Sequence, residues 1–179
     1  SSHDDNAARM LKHKRHLDSL CKVVDPSVQH SLDFAHAGSA YTNMDTGQIV
    51  IDGKLIKHSD DKLDTVAGLA IHEKLHLVHT KPLVRWEREY ARDNGLDHWE
   101  TQLLHSIGNQ IEDEYIEKQL ANDSAGFVQY ITKTKQYFFE EKVGDLLKKV
   151  EKNPYIDLMN TMLAFIRYPE NIDKNRKKR

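Results

Sequence analysis

The sequence predicts a mainly α protein of the α+β class, with a small two- or three-stranded β-sheet as its one β element. Two observations carry this. Only 4 prolines and 8 glycines interrupt 179 residues rich in helix-forming Leu, Lys, Glu and Ala. The β-prone runs are confined to residues 39–56, "SAYTNMDTGQIVIDGKLI". The length suits one core-bearing domain. The expected organisation is a helical segment over 1–37, a main domain over 38–168 and a basic flexible tail over 169–179.

Residues 5–24 form the first predicted helix: Met10, Leu17, Leu20, Cys21 and Val24 fall near one face, and Pro26 follows its end. In 39–56, "AYT" and "QIVI" are short strands separated by the turn formers Asn43, Asp45 and Gly47. A second helix starts near Ser59 or Asp60, either of which can cap it. From Val66 to Val78 it is apolar almost all round, so it is expected to be buried. A partly helical connection ends near Asn94 and Gly95. Asp97 then caps a long helix running to about Leu120. Two more helices fit "GFVQYITKTKQYFFEEKVGDLLKKV" and "PYIDLMNTMLAFIRY".

The bulk numbers exclude several classes. Apolar residues make up 39% and charged residues 30%, as in a soluble globular protein. A formal charge of −2 argues against nucleic acid or an anionic membrane as partner. The longest apolar run falls far short of a membrane span, and no signal-peptide core is present. Cys21 stands alone, so no disulfide closes within the chain and a cytoplasmic location is expected. The ends are basic, "KHKR" and "KNRKKR", which suits a solvated terminus or a linker to a further domain. The opening "SSHDDN" is left out of the fold reasoning.

The buried helix contains "AGLAIHEKLHLVHT", residues 67–80, with His72, Glu73 and His76 in the pattern H-E-x-x-H. Two histidines four apart lie one turn apart on one helix face, so both imidazoles can reach one metal ion. Glu73 is turned about 100° from His72 and can serve as general base on a water at that metal. Two histidines and a glutamate inside an apolar core are costly unless something satisfies them, and a metal satisfies all three. Satisfied core histidines are the plainer alternative. His79 either approaches the site or ends the helix, where a cation is favoured.

A catalytic zinc site needs three protein ligands and an open position. The extended H-E-x-x-H-x-x-G-x-x-H pattern fails, since His79 stands at the glycine position and Pro82 at the last one. The long helix offers "HSIGNQIEDEYIE". On a helical wheel Leu104, Ile107, Ile111 and Tyr115 form the apolar arc, and His105, Asn109 and Glu112 a flanking stripe. Gly108 lets another helix approach. Glu112 is the expected third ligand, with Asn109 holding it or the substrate. Asp113 is the second choice, as ligand or as partner of a ligating histidine. A solvated acidic face is the plain alternative for "EDEYIE".

A helix with H-E-x-x-H followed on a later helix by a glutamate ligand resembles the gluzincin branch of zinc metallopeptidases. More narrowly, "AYTNMDTGQIVID", "GLAIHEKLHLVH", "NQIEDEYIE" and "NTMLAFIRYP" are similar to metallopeptidase domains of bacterial and phage proteins that often precede a von Willebrand factor A domain. The resemblance covers 38–168 and implies a zincin-like helical domain. Its Asn-x-x-Glu-Asp signature falls on Asn109, Glu112 and Asp113. The glutamate–aspartate pair four apart is not met from Glu112, where Ile116 stands at the fourth position. No D-x-S-x-S motif occurs, so a von Willebrand factor A domain, as a further domain beyond the C-terminus, would lie outside this chain.

The expected function is peptide hydrolysis on a protein or peptide substrate, with Zn2+ held by His72, His76 and Glu112 and with Glu73 as general base. His79, His105 and Tyr115 are candidate oxyanion donors. The stretch from Gln48 to Asp52 is expected to pair with an extended substrate. The rivals are a non-catalytic zinc-binding domain, a helical scaffold or interaction domain without metal, and nucleic-acid binding through the basic ends.

Overall fold

The computed structural model describes residues 2–80, 83–148 and 153–176, with side chains over 4–80, 86–148 and 153–173. The class is as expected: mainly helical, with one three-stranded sheet. The chain forms two compact units, Ser1–Lys81 with Ile116–Thr134, and Pro82–Tyr115 with Lys135–Arg179. Among the described residues no helix is long and apolar enough to cross a membrane.

In the first unit, helix α1 (Ser2–Val24) buries Leu17 and Cys21 completely. Cys21 Sγ lies 3.4 Å from the Ala70 carbonyl of the next helix, and burial pushes its thiol pKa up to about 12. Three strands follow: β1 (Ser31–Phe34), β2 (Ala40–Asn43) and β3 (Gln48–Ile51). The turn between β2 and β3 uses the expected residues. Asn43 Oδ1 accepts from the amides of Asp45 and Thr46, and Gly47 takes φ 73°.

The sheet order β1-β3-β2 corrects one expectation. β3 is the central strand, paired in parallel with β1 and antiparallel with β2. Both its edges are occupied, so it cannot take up an extended substrate, whereas β2 is an edge strand. β1, "SLDF", lies outside the stretch in which strands are expected, and only Leu32 of its four residues is buried. It exists because β3 offers it a partner.

Helix α2 (Leu63–His79) is buried almost all round, as its composition requires. Its start is not capped as expected. Lys62 holds the N-cap position without a side-chain cap bond. Asp60 instead accepts from Arg9 at 2.6 Å and contacts His13 at 2.9 Å, tying the loop to α1. Gly68 lets α5 (Val128–Phe138) press against the helix: a Cβ there would lie 2.0 Å from Thr134 Oγ1 and 2.3 Å from the Tyr130 carbonyl oxygen. Ile71 and Leu75 pack with Ile116, Leu120 and Ile131.

Helix α3 (Leu83–Asp93) ends just before Gly95, whose φ of 62° suits a helix stop. Helix α4 (His98–Asp123) is unbroken and carries residues of both units. Its start is a reciprocal cap: Glu100 N donates to Asp97 Oδ1 at 2.8 Å, and Asp97 N donates to Glu100 Oε2 at 3.0 Å. In the second unit a Cβ on Gly108 would stand 1.9 Å from Glu87 Oε1, so this glycine does admit α3. α5 continues through a π-turn, Phe139–Val143, into α6 (Gly144–Leu146). α7 (Pro154–Arg167) is capped by Asn153 and started by Pro154. Phe139, Val143 and Ala164 form the core of this unit. α8 (Pro169–Arg176) occupies most of the stretch expected as a basic tail; residues 177–179 lie outside the described residues.

The apolar arc assigned to α4 is corrected towards its C-terminal half. Ile111 and Tyr115 are 58% and 52% exposed, while Ile116 and Leu120 are buried. Ile116 and Leu120 are the residues that meet α2, and that packing sets which face turns inward.

Candidate metal centre

The helical period of α2 sets His72 and His76 side by side. Their Nε2 atoms are 3.2 Å apart, with rings edge to face and centroids 4.9 Å apart. Each ring is also held at its other nitrogen. His72 Nδ1 lies 3.0 Å from Glu117 Oε1, and His76 Nδ1 lies 2.9 Å from Thr80 Oγ1. Glu117 comes from the part of α4 that belongs to the first unit, and Thr80 directly follows the end of α2. The His72–Glu117 contact is partly shielded: side-chain exposure is 16% for His72 and 8% for Glu117.

These contacts constrain the protons. An ionised carboxylate only accepts, so His72 donates through Nδ1, and in the neutral ring Nε2 then carries the lone pair. The Thr80 hydroxyl can accept or donate. Between the two Nε2 atoms, one N–H donated by either ring satisfies the contact, or a cation sits where two lone pairs face one another. A shared proton and a metal ion are therefore alternative ways of satisfying this pair.

Glu73 is buried, 8% exposed, next to this pair on α2. The Thr42 hydroxyl of edge strand β2 lies 2.6 Å from Glu73 Oε2 and 3.0 Å from the Glu73 carbonyl. A single hydroxyl proton serves both acceptors, and the shorter contact is to the carboxylate. β2 thereby fixes the direction in which the Glu73 carboxylate points.

The other predicted residues take different positions. Glu112 is buried, 4% exposed, on the α4 face shared with Ile116 and Leu120. Asp113 stands one turn before Glu117 on the same side of α4, and its Oδ2 lies 3.7 Å from Arg167 Nε in the second unit. His79 is the last residue of α2. His105 is bonded through Nδ1 to Glu87 Oε2 at 2.9 Å and through Nε2 to Asn109 Nδ2 at 3.2 Å, all within the second unit. Asn109 is thus engaged with His105. Tyr115 points outward on α4, 52% exposed.

Thr42, Thr80 and Glu117 escaped the sequence reading. Glu117 had a signal. Asp113 and Glu117 are acids four apart, the spacing sought from Glu112 and found one residue later. Thr42 and Thr80 had none, because a lone threonine in a strand or after a helix is ordinary.

On the far side of α2 lies a second polar cluster. Lys74 is fully buried, and its Nζ contacts the Val28 carbonyl and, at 2.9 Å, His30 Nδ1. His30 Nε2 lies 2.8 Å from Asp18 Oδ1. Burial lowers the Lys74 pKa, and burial followed by the Lys74 charge lowers that of His30. No family model, no curated protein and no solved structure matches the chain.

Proposed function

We propose that the chain is a cytoplasmic zinc metallopeptidase that hydrolyses peptide bonds with Glu73 as general base. The observation that carries this reading is the pair of Nε2 atoms 3.2 Å apart with both Nδ1 atoms anchored. Two imidazoles on one tetrahedral zinc, at the usual Zn–N length, have their nitrogens about 3.4 Å apart. The third ligand is Asp113, which with His72 and His76 makes a group that could hold a metal ion. Glu112 is the alternative third ligand. Glu117 on the far nitrogen of His72 is the carboxylate that orients a metal-binding histidine and raises its basicity.

A bound zinc ion supplies an acidified water and polarises the substrate carbonyl. The protein does the rest. Glu73 takes the proton from the attacking water, and Thr42 keeps its carboxylate aimed during that step. An extended peptide pairs with the edge strand β2, next to Glu73, using its main chain. A second reading, a zinc-holding domain without catalysis, is favoured by Glu73 being buried and bonded to Thr42, a structural role in its own right. The test is metal analysis of untagged protein followed by Glu73→Gln. About one zinc per chain in both proteins, and peptide-library hydrolysis lost only in the variant, is the expected result. Equal hydrolysis in both proteins refutes the general-base role. Asp113→Asn and Glu112→Gln assign the third ligand by which one loses the metal.

A further inference from the structure

The two imidazoles of the pair are anchored on unlike partners. Glu117, on the far nitrogen of His72, is a carboxylate and when ionised only accepts. Thr80, on the far nitrogen of His76, carries a hydroxyl that turns about one bond and either donates or accepts. Thr80 is buried, 4% exposed, and meets His76 twice. Its amide N–H donates to the His76 carbonyl at 2.9 Å, and its Oγ1 lies 2.9 Å from His76 Nδ1. Among the described residues His76 Nδ1 is the hydrogen-bonding partner of that hydroxyl. A hydroxyl donating to Nδ1 leaves the proton of a neutral His76 on Nε2, aimed at His72 Nε2 3.2 Å away. His72 in turn donates from Nδ1 to Glu117 at 3.0 Å. Four groups of the first unit thus form one line of donors, from Thr80 through His76 and His72 to Glu117.

We propose that Thr80 is a positioning residue for His76 whose hydroxyl reverses its hydrogen bond when a metal ion binds. This rests on the proposed metal site. A metal ion between the rings needs both Nε2 lone pairs, so the line of donors must break at His76. The Nε2–H bond of His76 opens and an Nδ1–H bond forms, one proton leaving to water and one returning from it. The ring stays neutral, and the Thr80 hydroxyl turns to accept from Nδ1 instead of donating to it. His72 needs no such change, because the Glu117 carboxylate holds its proton on Nδ1 throughout. The unlike anchors thereby give the pair two satisfied states, one closed by a shared proton and one open to a cation.

The experiment is nitrogen NMR of the imidazole rings in the full chain at mildly alkaline pH, metal-free and then with zinc added. Without metal, His72 is expected to carry its proton on Nδ1 and His76 on Nε2; with zinc, both rings carry it on Nδ1. A metal-free His76 already protonated on Nδ1 overturns the proposal. Zinc titration against a chromophoric chelator, with urea unfolding of each protein alongside, reads the hydroxyl itself. Thr80→Val keeps the backbone bond to His76 without the hydroxyl and is expected to weaken zinc about 10- to 100-fold. Thr80→Ser keeps the hydroxyl and is expected to stay within about threefold of wild type. A merely structural role predicts a lowered unfolding midpoint for Thr80→Val with zinc affinity unchanged, and that result overturns the proposal. If Thr80→Val does not fold, the wild-type spectra and Thr80→Ser decide: a serine variant weakened by tenfold or more overturns it. Wild-type protein that takes up no zinc refutes the metal site itself, a failure distinct from the others, and the metal-free spectra then still test the line of donors.

Discussion

Two sides of α2 carry polar groups into an apolar interior, and they resolve the burial in opposite ways. Lys74 lies two residues after His72, about 200° around the helix. Its ammonium is closed off by the Val28 carbonyl and by His30, which is itself tied to Asp18. Every member of that chain has a protein partner, so the cluster needs no ligand. The His72–His76 side anchors the two Nδ1 atoms on Glu117 and Thr80 and turns both Nε2 atoms towards each other. The difference is one of geometry: a chain of donors and acceptors closes on itself, whereas two converging ring nitrogens can share either a proton or a cation. Burial of a charged or imidazole group is therefore poor evidence of a functional site until its partners are known.

The comparison breaks most sharply by exchanging the two sides. His76→Ala is expected to take bound zinc from about one per chain to none, while Lys74→Met leaves it unchanged. Metal analysis after dialysis reads both, and equal loss would mean that Lys74 also supports the ion. Next in size is Lys74→Ala. It removes a fully buried side chain and leaves the Val28 carbonyl and His30 without their partner, and is expected to cost about 3 kcal/mol in urea unfolding. A cost near zero would show that the cluster is dispensable. Glu117→Gln keeps the shape of the His72 contact and is expected to weaken zinc about 10- to 100-fold, with stability little changed.

The smallest effect concerns pH. The folded value of His30 lies below its ordinary 6.5, because burial and the facing Lys74 charge disfavour the imidazolium, although Asp18 opposes them. The unfolded chain therefore takes up this proton first as pH falls. The contribution of His30 is present above pH 6.5 and declines below it, towards the lower folded value. Urea unfolding of metal-free protein between pH 7.5 and pH 5 is expected to show this loss, and His30→Asn is expected to reduce it. An identical pH slope in both proteins would assign the loss to other groups.

Much of the fold was legible because it is written in local chemistry. The turn formers Asn43 and Gly47, the cap Asp97 with Glu100, and the stop at Gly95 act within a few residues of themselves. The helical period alone also puts His72 and His76 on one face. The errors came where two elements compete for one residue. Asp60 was free to cap α2 in the sequence but is held by Arg9 and His13 from α1. The inward face of α4 could not be read from its own wheel, since Ile116 and Leu120 turn in only because Ile71 and Leu75 await them.

By itself, then, the sequence determined the helices up to α7, the single turn-linked strand pair and the imidazole pair, all consequences of periodicity and short-range hydrogen bonding. Only the tertiary structure decided that β3 is central and β2 the edge, that Thr42 steers Glu73, and that Glu117 reaches His72. Those outcomes depend on residues 31 and 45 positions away, and no spacing rule along the chain encodes which distant side chain will fill a given gap.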